Sequence, residues 1–192
     1  VDSAAERVIV ALHGLSIDVL INNAGSGDVG LFAQTDPKKI DQLLHLNILA
    51  LTSLTRLILP NMIAKGSGKI LNVASIAAFM PGPLMAAYFA SKAFVLSFSE
   101  ALANELEKTG VSVTALCPGA TSTEFDMAAG TSWGETYHKK IPTAAAVAQF
   151  AYTSLMQKKR IAVYGWTNRF LIFLIRLTPR NIVVKLTRRW TQ

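Results

Sequence analysis

The stretch Ala87-Tyr88-Phe89-Ala90-Ser91-Lys92, with Ser75 thirteen positions before the tyrosine, decides how this chain is interpreted. It lies in a segment, Leu84 to Leu106, whose apolar spacing predicts a helix. Tyr88 and Lys92 are four residues apart, so their side chains share one helical face, about one turn from each other. A positive charge beside a phenol favours the phenolate and lowers a pKa whose ordinary value is about 10. The pair is therefore predicted to exchange a proton with a ligand near neutral pH.

Polar and glycine-containing segments follow the apolar runs on either side of this helix. Asn22-Asn23-Ala24-Gly25 follows one predicted strand, Ser75 follows a second, and Pro118-Gly119-Ala120-Thr121-Ser122-Thr123 follows a third. Open α/β sheets bind their ligands at the carboxyl ends of the strands. These positions therefore predict one ligand site at that edge of a sheet, with Asn47, Tyr88 and Lys92 contributed by helices.

Together these motifs resemble the short-chain dehydrogenase/reductase family. The family pattern is a serine followed by Y-x-x-x-K, with N-N-A-G upstream, an asparagine between them and a P-G segment after a later strand. The resemblance covers the chain from Ser16 to about Gly165. It implies an enzyme that uses NAD or NADP to interconvert a carbonyl and a secondary alcohol by hydride transfer.

The resemblance also implies roles for individual residues. Tyr88 would be the proton donor in reduction, Lys92 would lower its pKa and bind the nicotinamide ribose, and Ser75 would polarise the substrate carbonyl. Asn47 would support a water relay to Lys92. The residues implied to contact the cofactor are Asn22, Ala24, Gly25, Tyr88, Lys92, Pro118, Gly119, Thr121 and Thr123.

The alternation of helices with short Val/Ile/Leu-rich strands predicts an α/β fold with a parallel sheet covered on both faces. Helices are expected at 4–14, 37–64, 84–108 and 142–157, and strands at 17–22, 69–74, 111–117 and 160–164. The resemblance makes this a Rossmann-like doubly wound sheet. By position, the first helix corresponds to the third helix of the family fold, so the first two strand-helix units and the third strand are expected to be absent.

The expected absence of those units has two consequences. The family's T-G-x-x-x-G-x-G turn, which holds the cofactor pyrophosphate, is not found in the sequence. The strand Ile17 to Ile21 is expected to form an exposed apolar edge. We therefore divide the chain into residues 1–165, the C-terminal part of a dinucleotide-binding catalytic domain, and residues 166–192, a basic amphipathic extension.

The segment Gly25-Ser26-Gly27-Asp28-Val29-Gly30 also fits G-x-G-x-x-G and follows a predicted strand. A dinucleotide fingerprint opens directly into a helix, whereas the next helix here is expected to begin near Asp36-Pro37. No acidic residue lies about twenty positions on to bind a ribose. A loop that flanks the active site is the favoured interpretation.

Composition agrees with one globular domain, since 192 residues of which 51% are hydrophobic can bury a sizeable core. The single Cys117 excludes an intramolecular disulfide, which fits a reducing, cytoplasmic location, and it is expected to pack as a small apolar side chain. The histidines have no metal-ligand spacing, so no metal is expected; they are His13, His45 and His138.

The formal net charge of +7 comes from the C-terminal part of the chain. No Asp or Glu follows Glu135, whereas eleven Lys and Arg residues do. Phe170, Phe173, Leu174 and Leu177 fall on one helical face. This tail has three open interpretations: a peripheral contact with a membrane through residues 168–192, a cover over the substrate pocket or a dimer partner, and a site for an acidic partner. No nucleic-acid-binding motif surrounds the basic residues.

We expect a hydrophobic or acyl-chain substrate, because the tail and the loop from Phe79 to Met85 are apolar. The family resemblance implies a homo-oligomer formed through helices 37–64 and 84–108. The alternative function is a catalytically inactive fragment that docks to membranes or partners through its basic tail. The sequence leaves the choice between NAD and NADP, and the reaction direction, open.

Overall fold

The computed structural model describes residues 4–12, 14–125, 129–130 and 141–191. Within them, four parallel strands form one sheet in the order β1-β2-β3-β4. The strands are β1 (Val19–Asn22), β2 (Gly68–Val73), β3 (Val111–Cys117) and β4 (Ile161–Val163). The predicted parallel α/β sheet is confirmed, with Asn22 of β1 opposite Asn72 of β2.

The four predicted helices are present, one of them with an interruption, and the C-terminal segment forms two further helices. The helices are α1 (Ala4–Ala11), α2 (Pro37–Leu44), α3 (Leu51–Lys65), α4 (Ala86–Glu105), α5 (Ala144–Met156), α6 (Trp166–Leu177) and α7 (Arg180–Trp190). The single helix predicted at 37–64 contains a π-helical turn at His45–Ala50, which joins α2 to α3. His13, which the predicted helix 4–14 included, and His138 lie outside the described residues.

Local chemistry explains where α2 begins. The Asp36 carboxylate accepts a 2.9 Å hydrogen bond from the Lys38 backbone N–H, and Pro37 occupies the first helical position. A short 3-10 turn, Phe32–Gln34, separates Gly30 from this helix. The G-x-G-x-x-G segment therefore does not open a helix, in agreement with its interpretation as a loop.

Two layers of helices pack on the sheet. On one face, Ile58 and Met62 of α3 and Leu102 of α4 form a cluster with Ile70 and Val113 of the central strands. On the other face, α5 packs its buried side chains against Leu71, Leu116 and Ala162. The core thus lies between α3, α4 and the middle of the sheet, and this arrangement holds the N-terminal half of α4 beside the end of β2.

The second face is covered less completely than predicted. Leu71, which α5 covers, is the register partner of Ile21 on β1, and Ile21 is 55% exposed. Val19, two residues earlier on the same face, is also exposed. The prediction of a sheet covered on both faces is therefore wrong at β1, because α5 spans only the neighbouring strands. The prediction of an exposed apolar edge strand is confirmed.

The continuous helical stretch Pro37–Lys65 has the length and apolar composition to cross a membrane, and within the described residues it is the one helix that does. Core helices of globular proteins meet the same criterion. Here Asn47, Thr55 and Met62 point into the protein interior. Packing against the sheet buries one face of this stretch, and its other face carries exposed apolar side chains such as Leu49 and Ile63.

Candidate functional site

The predicted site residues gather at the carboxyl edge of the sheet. Backbone hydrogen bonds continue past the regular strands, from Ala74 N–H to Leu116 O at 2.8 Å and from Ile76 N–H to Pro118 O at 2.9 Å. They hold Ser75 beside Pro118, at the start of the Pro118–Thr123 segment. Because all four strands are parallel, Asn22 at the end of β1 lies at this same edge.

Ser75 begins the turn that connects β2 with α4. Its hydroxyl oxygen accepts a 3.1 Å hydrogen bond from the Ala77 backbone N–H and so caps the 3-10 turn Ile76–Phe79. Ala77 lies in the same apolar cluster as Tyr88. This capping bond fixes the backbone that carries Ser75 against the first turns of α4.

Tyr88 and Lys92 lie on the buried face of α4, as their spacing predicted. The Lys92 Nζ atom donates a 2.8 Å hydrogen bond to the Val73 carbonyl oxygen and lies 5.8 Å from the centroid of the Tyr88 ring. Val73 ends β2, two residues before Ser75. The structure therefore brings Ser75, Tyr88 and Lys92 together around the end of one strand.

The environment of Lys92 changes its acidity. The side chain is 5% exposed, and this burial lowers the pKa of Lys92 to about 8, an effect that the nearby Cys117 partly opposes. An amine with such a pKa is still mostly charged at neutral pH. Its hydrogen bond to Val73 is the only one it makes to a described residue, so further N–H groups remain for a ligand.

An apolar and aromatic shell surrounds Tyr88. The centroid of its ring is 5.9 Å from that of Phe89, edge to face, and 5.4 Å from that of Phe125. Phe125 also reaches the loop after β1, since a Cβ atom on Gly27 would lie 2.9 Å from its Cζ atom. The whole Tyr88 residue is 8% exposed, and in such an apolar environment a nearby charge acts more strongly than it does in water.

Asn47 lies in the π-helical turn and is 2% exposed. Its amide oxygen accepts from the Ser26 N–H, and its amide nitrogen donates to the Ser26 carbonyl and the Ser91 hydroxyl, all at 2.9 Å. π-helical turns insert one residue and occur frequently at functional sites. The turn here directs the Asn47 amide between the loop after β1 and the Tyr88-Lys92 face of α4.

The backbone of Gly25 lies close to the side chains of Lys92 and Asn47. A Cβ atom at this position would lie 3.1 Å from the Lys92 amine and 3.3 Å from the Asn47 amide oxygen. The bare backbone of Gly25 therefore faces both side chains. Gly25 therefore packs closely on the buried amine, and Ala24 beside it is exposed.

The side-chain amide of Asn22 forms hydrogen bonds in the protein interior. Its nitrogen donates to Thr55 Oγ1 at 3.1 Å and to Asn72 Oδ1 at 2.8 Å, and Asn72 in turn donates to Ser99 Oγ at 2.9 Å. This buried chain of hydrogen bonds joins α3, β1, β2 and α4. The sequence analysis predicted Asn22 as a site residue but did not identify Asn72, Thr55 or Ser99 as its partners. The indication available in the sequence was the polar residue Asn72 inside the apolar run Ile70–Val73.

The Pro118–Thr123 segment is held by its own side chains and by α6. The Thr121 hydroxyl donates to the Gly119 carbonyl at 3.1 Å, and the Thr123 hydroxyl donates to the Thr121 carbonyl at 3.4 Å. A Cβ atom on Gly119 would lie 2.7 Å from the Asn168 amide nitrogen. The absence of a side chain at Gly119 lets α6 pack directly on the segment after β3.

Cys117 and the possibility of a metal ion remain to be considered near the site. Cys117 is fully buried, and burial raises the pKa of its thiol to about 12. It therefore packs as an apolar side chain. In the part of the chain that the structure describes, no group of three His, Cys, Asp or Glu residues is arranged to hold a metal ion.

Comparison with known proteins gives the family. The sequence profile of the short chain dehydrogenases matches residues 1–132. The chain is 43% identical over 106 residues to the ketoacyl reductase HetN of a Nostoc species, covering 55% of this chain and 37% of that protein. It is 36% identical over 124 residues to the very-long-chain 3-oxoacyl-CoA reductase of Anas platyrhynchos, covering 62% and 40%.

The fold matches a solved structure of the same class. A short-chain dehydrogenase from Sphingobium yanoikuyae in complex with NADPH superposes with a TM-score of 0.77 at 30% identity, over 90% of this chain and 68% of that one. The matched segments span only about two fifths of the length of the two curated relatives. The sheet is accordingly Rossmann-like, and this chain belongs to the short-chain dehydrogenase family.

Proposed function

We propose that this chain carries the catalytic centre of an NAD(P)-dependent oxidoreductase that interconverts a carbonyl and a secondary alcohol. The observation that supports it most is the position of the buried Lys92 amine, 5.8 Å from the Tyr88 ring and bonded to the end of β2. A charged amine at this place favours the phenolate form of Tyr88. Tyr88 then exchanges a proton with the substrate oxygen near neutral pH.

In the direction of reduction, each residue has a distinct task. A bound nicotinamide cofactor would supply the hydride for the carbonyl carbon. Tyr88 gives its proton to the carbonyl oxygen, and the Ser75 hydroxyl orients that oxygen. Lys92 stabilises the resulting phenolate, and Asn47 fixes the loop after β1 against α4 and supports a water relay that returns a proton. In oxidation the same proton moves in the opposite direction.

The nicotinamide half of NAD or NADP would lie between two backbone segments. Ala24 and Gly25 form one side, where the absence of a Cβ atom lets the Gly25 backbone lie close to Lys92. Pro118, Gly119, Thr121 and Thr123 form the other side. Asn22 acts through the buried hydrogen bonds that hold the end of β1, so we assign it a positioning role beneath the cofactor.

The substrate proposed is a hydrophobic ketone or a 3-oxoacyl chain. Tyr88 lies in an apolar cluster that includes Met80, Met85 and Phe89, and Leu171, Ile175 and Val183 of the C-terminal helices pack against it. The inner faces of α6 and α7 therefore cover the catalytic tyrosine with apolar side chains. The names of the two curated relatives agree with a keto group on an acyl chain.

We also propose a homo-oligomer formed through the long helices. Several large apolar side chains of this region remain exposed, among them Leu46, Leu49, Leu57, Ile63 and Phe94. Pairing of these helices between two copies would bury them, as the apolar core of a dimer interface does.

The test is NADPH and NADH oxidation by the full-length gene product with a panel of simple ketones and 3-oxoacyl thioesters. Tyr88→Phe is expected to lower kcat by a factor on the order of 10²–10⁴ while leaving cofactor affinity, measured by fluorescence titration, nearly unchanged. Tyr152→Phe, at an exposed tyrosine of α5, is the matched control and keeps full activity. Retained turnover in Tyr88→Phe excludes the proton-donor role.

A further inference from the structure

Each of the two C-terminal helices carries both buried and exposed apolar side chains. Their inner sides pack on the cluster around Tyr88 through Leu171, Ile175 and Val183, and the Thr191 hydroxyl donates a 2.8 Å hydrogen bond to the Pro83 carbonyl. Both helices are thus anchored to the protein body by one side. Their other sides necessarily face away from it.

The outward side of α6 is a continuous apolar stripe. Trp166, Phe170, Phe173 and Leu177 recur at helical spacing, and they are 76%, 55%, 56% and 68% exposed. On α7, Ile182, Leu186 and Trp190 are also exposed. We call the exposed apolar residues of α6 and α7 the outer face. Monomeric soluble proteins rarely expose so many large apolar side chains next to one another.

The charge around the outer face has one sign. Residues 166–191 contain no Asp or Glu and six basic residues, namely Arg169, Arg176, Arg180, Lys185, Arg188 and Arg189. None of the six forms an ion pair with a described residue, although the Arg169 Nε donates to the Val163 carbonyl at 3.2 Å. The outer face is therefore an apolar stripe beside unneutralised positive charge.

We propose that the outer face of α6 and α7 docks this protein on the surface of an anionic phospholipid bilayer. The apolar stripe enters the boundary between headgroups and acyl chains, and the basic residues meet the anionic headgroups. A two-fold contact of this face with a second copy would place six cations against six cations, which opposes self-association. The inner faces of the same helices keep their contacts with the Tyr88 cluster, so docking needs no unfolding.

Vesicle binding of the full-length gene product tests this directly. Co-sedimentation is measured with vesicles of phosphatidylcholine alone and with vesicles containing about a third phosphatidylglycerol. We expect binding to the anionic vesicles that is weakened at least about tenfold when phosphatidylglycerol is omitted or when salt is raised from low to high concentration. Absence of binding to the anionic vesicles overturns the proposal.

Two sets of variants separate the apolar and the electrostatic contributions. Phe170→Ser with Phe173→Ser and Leu177→Ser is expected to lower the partition coefficient at least about tenfold. The control, Tyr152→Ser with Met156→Ser, changes exposed apolar residues of α5 and is expected to bind as the unmodified protein does.

For the charges, Arg176→Gln with Arg180→Gln and Arg189→Gln is compared with Lys108→Gln, Lys158→Gln and Lys159→Gln, which remove the same net charge elsewhere. Only the first set is expected to lose binding. Equal loss in both sets overturns the proposal, because it would show a response to total charge alone. So does an outer-face variant that turns a dimer into a monomer, by light scattering, without losing vesicle binding. These readouts are binding measurements and do not depend on the proposed reaction.

Discussion

The side-chain amine of Lys92 donates a 2.8 Å hydrogen bond to the backbone carbonyl of Val73, and this bond ties α4 to the last residue of β2. It places a buried positive charge next to Ser75 and beneath the ring of Tyr88. The contact also has a thermodynamic consequence, because the buried amine is costly to keep protonated.

The first prediction is that stability rises with pH because of Lys92. Its pKa is about 8 in the folded chain, against an ordinary value of 10.5, so between these values the unfolded chain binds more protons and the free energy of unfolding increases with pH. Between pH 7 and 9 the unmodified protein should gain roughly 1 kcal/mol relative to Lys92→Met. Urea unfolding at several pH values measures this difference.

The comparison is restricted to pH values below 9. Above pH 9 the Cys117 thiol, whose pKa is raised by burial, makes the free energy of unfolding fall with pH. Parallel pH curves for the two proteins would contradict the prediction.

Gly25→Ala is expected to impair the cofactor site. The added Cβ atom would lie 3.1 Å from the Lys92 amine and 3.3 Å from the Asn47 amide oxygen, so one of them must move. Because displacement of catalytic groups by a fraction of an ångström is costly, kcat/KM should fall about tenfold or more. Ser26→Ala is the control, since the hydrogen bonds of Ser26 with Asn47 are made by its backbone. Steady-state kinetics with varied cofactor measures both, and similar losses in the two variants would count against a specific role for Gly25.

Ser91→Ala is expected to act on catalysis through Asn47. The Ser91 hydroxyl accepts from the Asn47 amide at 2.9 Å and donates to the Tyr88 carbonyl at 2.7 Å, so its removal loosens the Asn47 side chain. We expect kcat to fall roughly 10- to 100-fold with little change in the KM for substrate. Ser97→Ala, at an exposed position of the same helix, should leave both constants unchanged. An unaltered kcat in Ser91→Ala would show that catalysis does not depend on the hydrogen bond by which Ser91 positions Asn47.

Asn22→Ala is expected to destabilise the fold. It removes the donor shared by Thr55 and Asn72 and leaves a buried amide oxygen without that partner. The loss should be about 1–3 kcal/mol in the free energy of unfolding. Asn23→Ala changes the exposed neighbour and should cost much less. Chemical denaturation of both variants measures the difference, and equal midpoints would mean that the buried amide chain contributes nothing to stability.

The sequence predicted the elements that depend on local pattern. Helical spacing in Leu84–Leu106 placed Tyr88 and Lys92 on one face, and the apolar runs predicted all four strands to within two residues. The Asp36-Pro37 pair also marked the start of α2 correctly. Each of these features arises from residues a few positions apart, whose geometry backbone periodicity alone specifies.

Other features depend on contacts between distant parts of the chain. Asn47 meets Ser26 across 21 positions, Asn22 meets Asn72 across 50, and Thr191 meets Pro83 across 108. The π-helical turn at Asn47 and the incomplete covering of β1 belong to the same group. No local pattern determines which buried polar groups pair, because every such pair is selected by the packing of whole helices against the sheet.

The C-terminal helices show both locally determined features and features that depend on tertiary contacts. Residues 166–191, by themselves, determined a strongly basic segment with an amphipathic helical face at 168–177, since charge and spacing are properties of the sequence. Which apolar side faces the protein was decided only by the tertiary structure, because α6 is apolar on two sides. The cluster around Tyr88 offers complementary packing to Leu171 and Ile175, and this contact leaves Phe170 and Phe173 exposed.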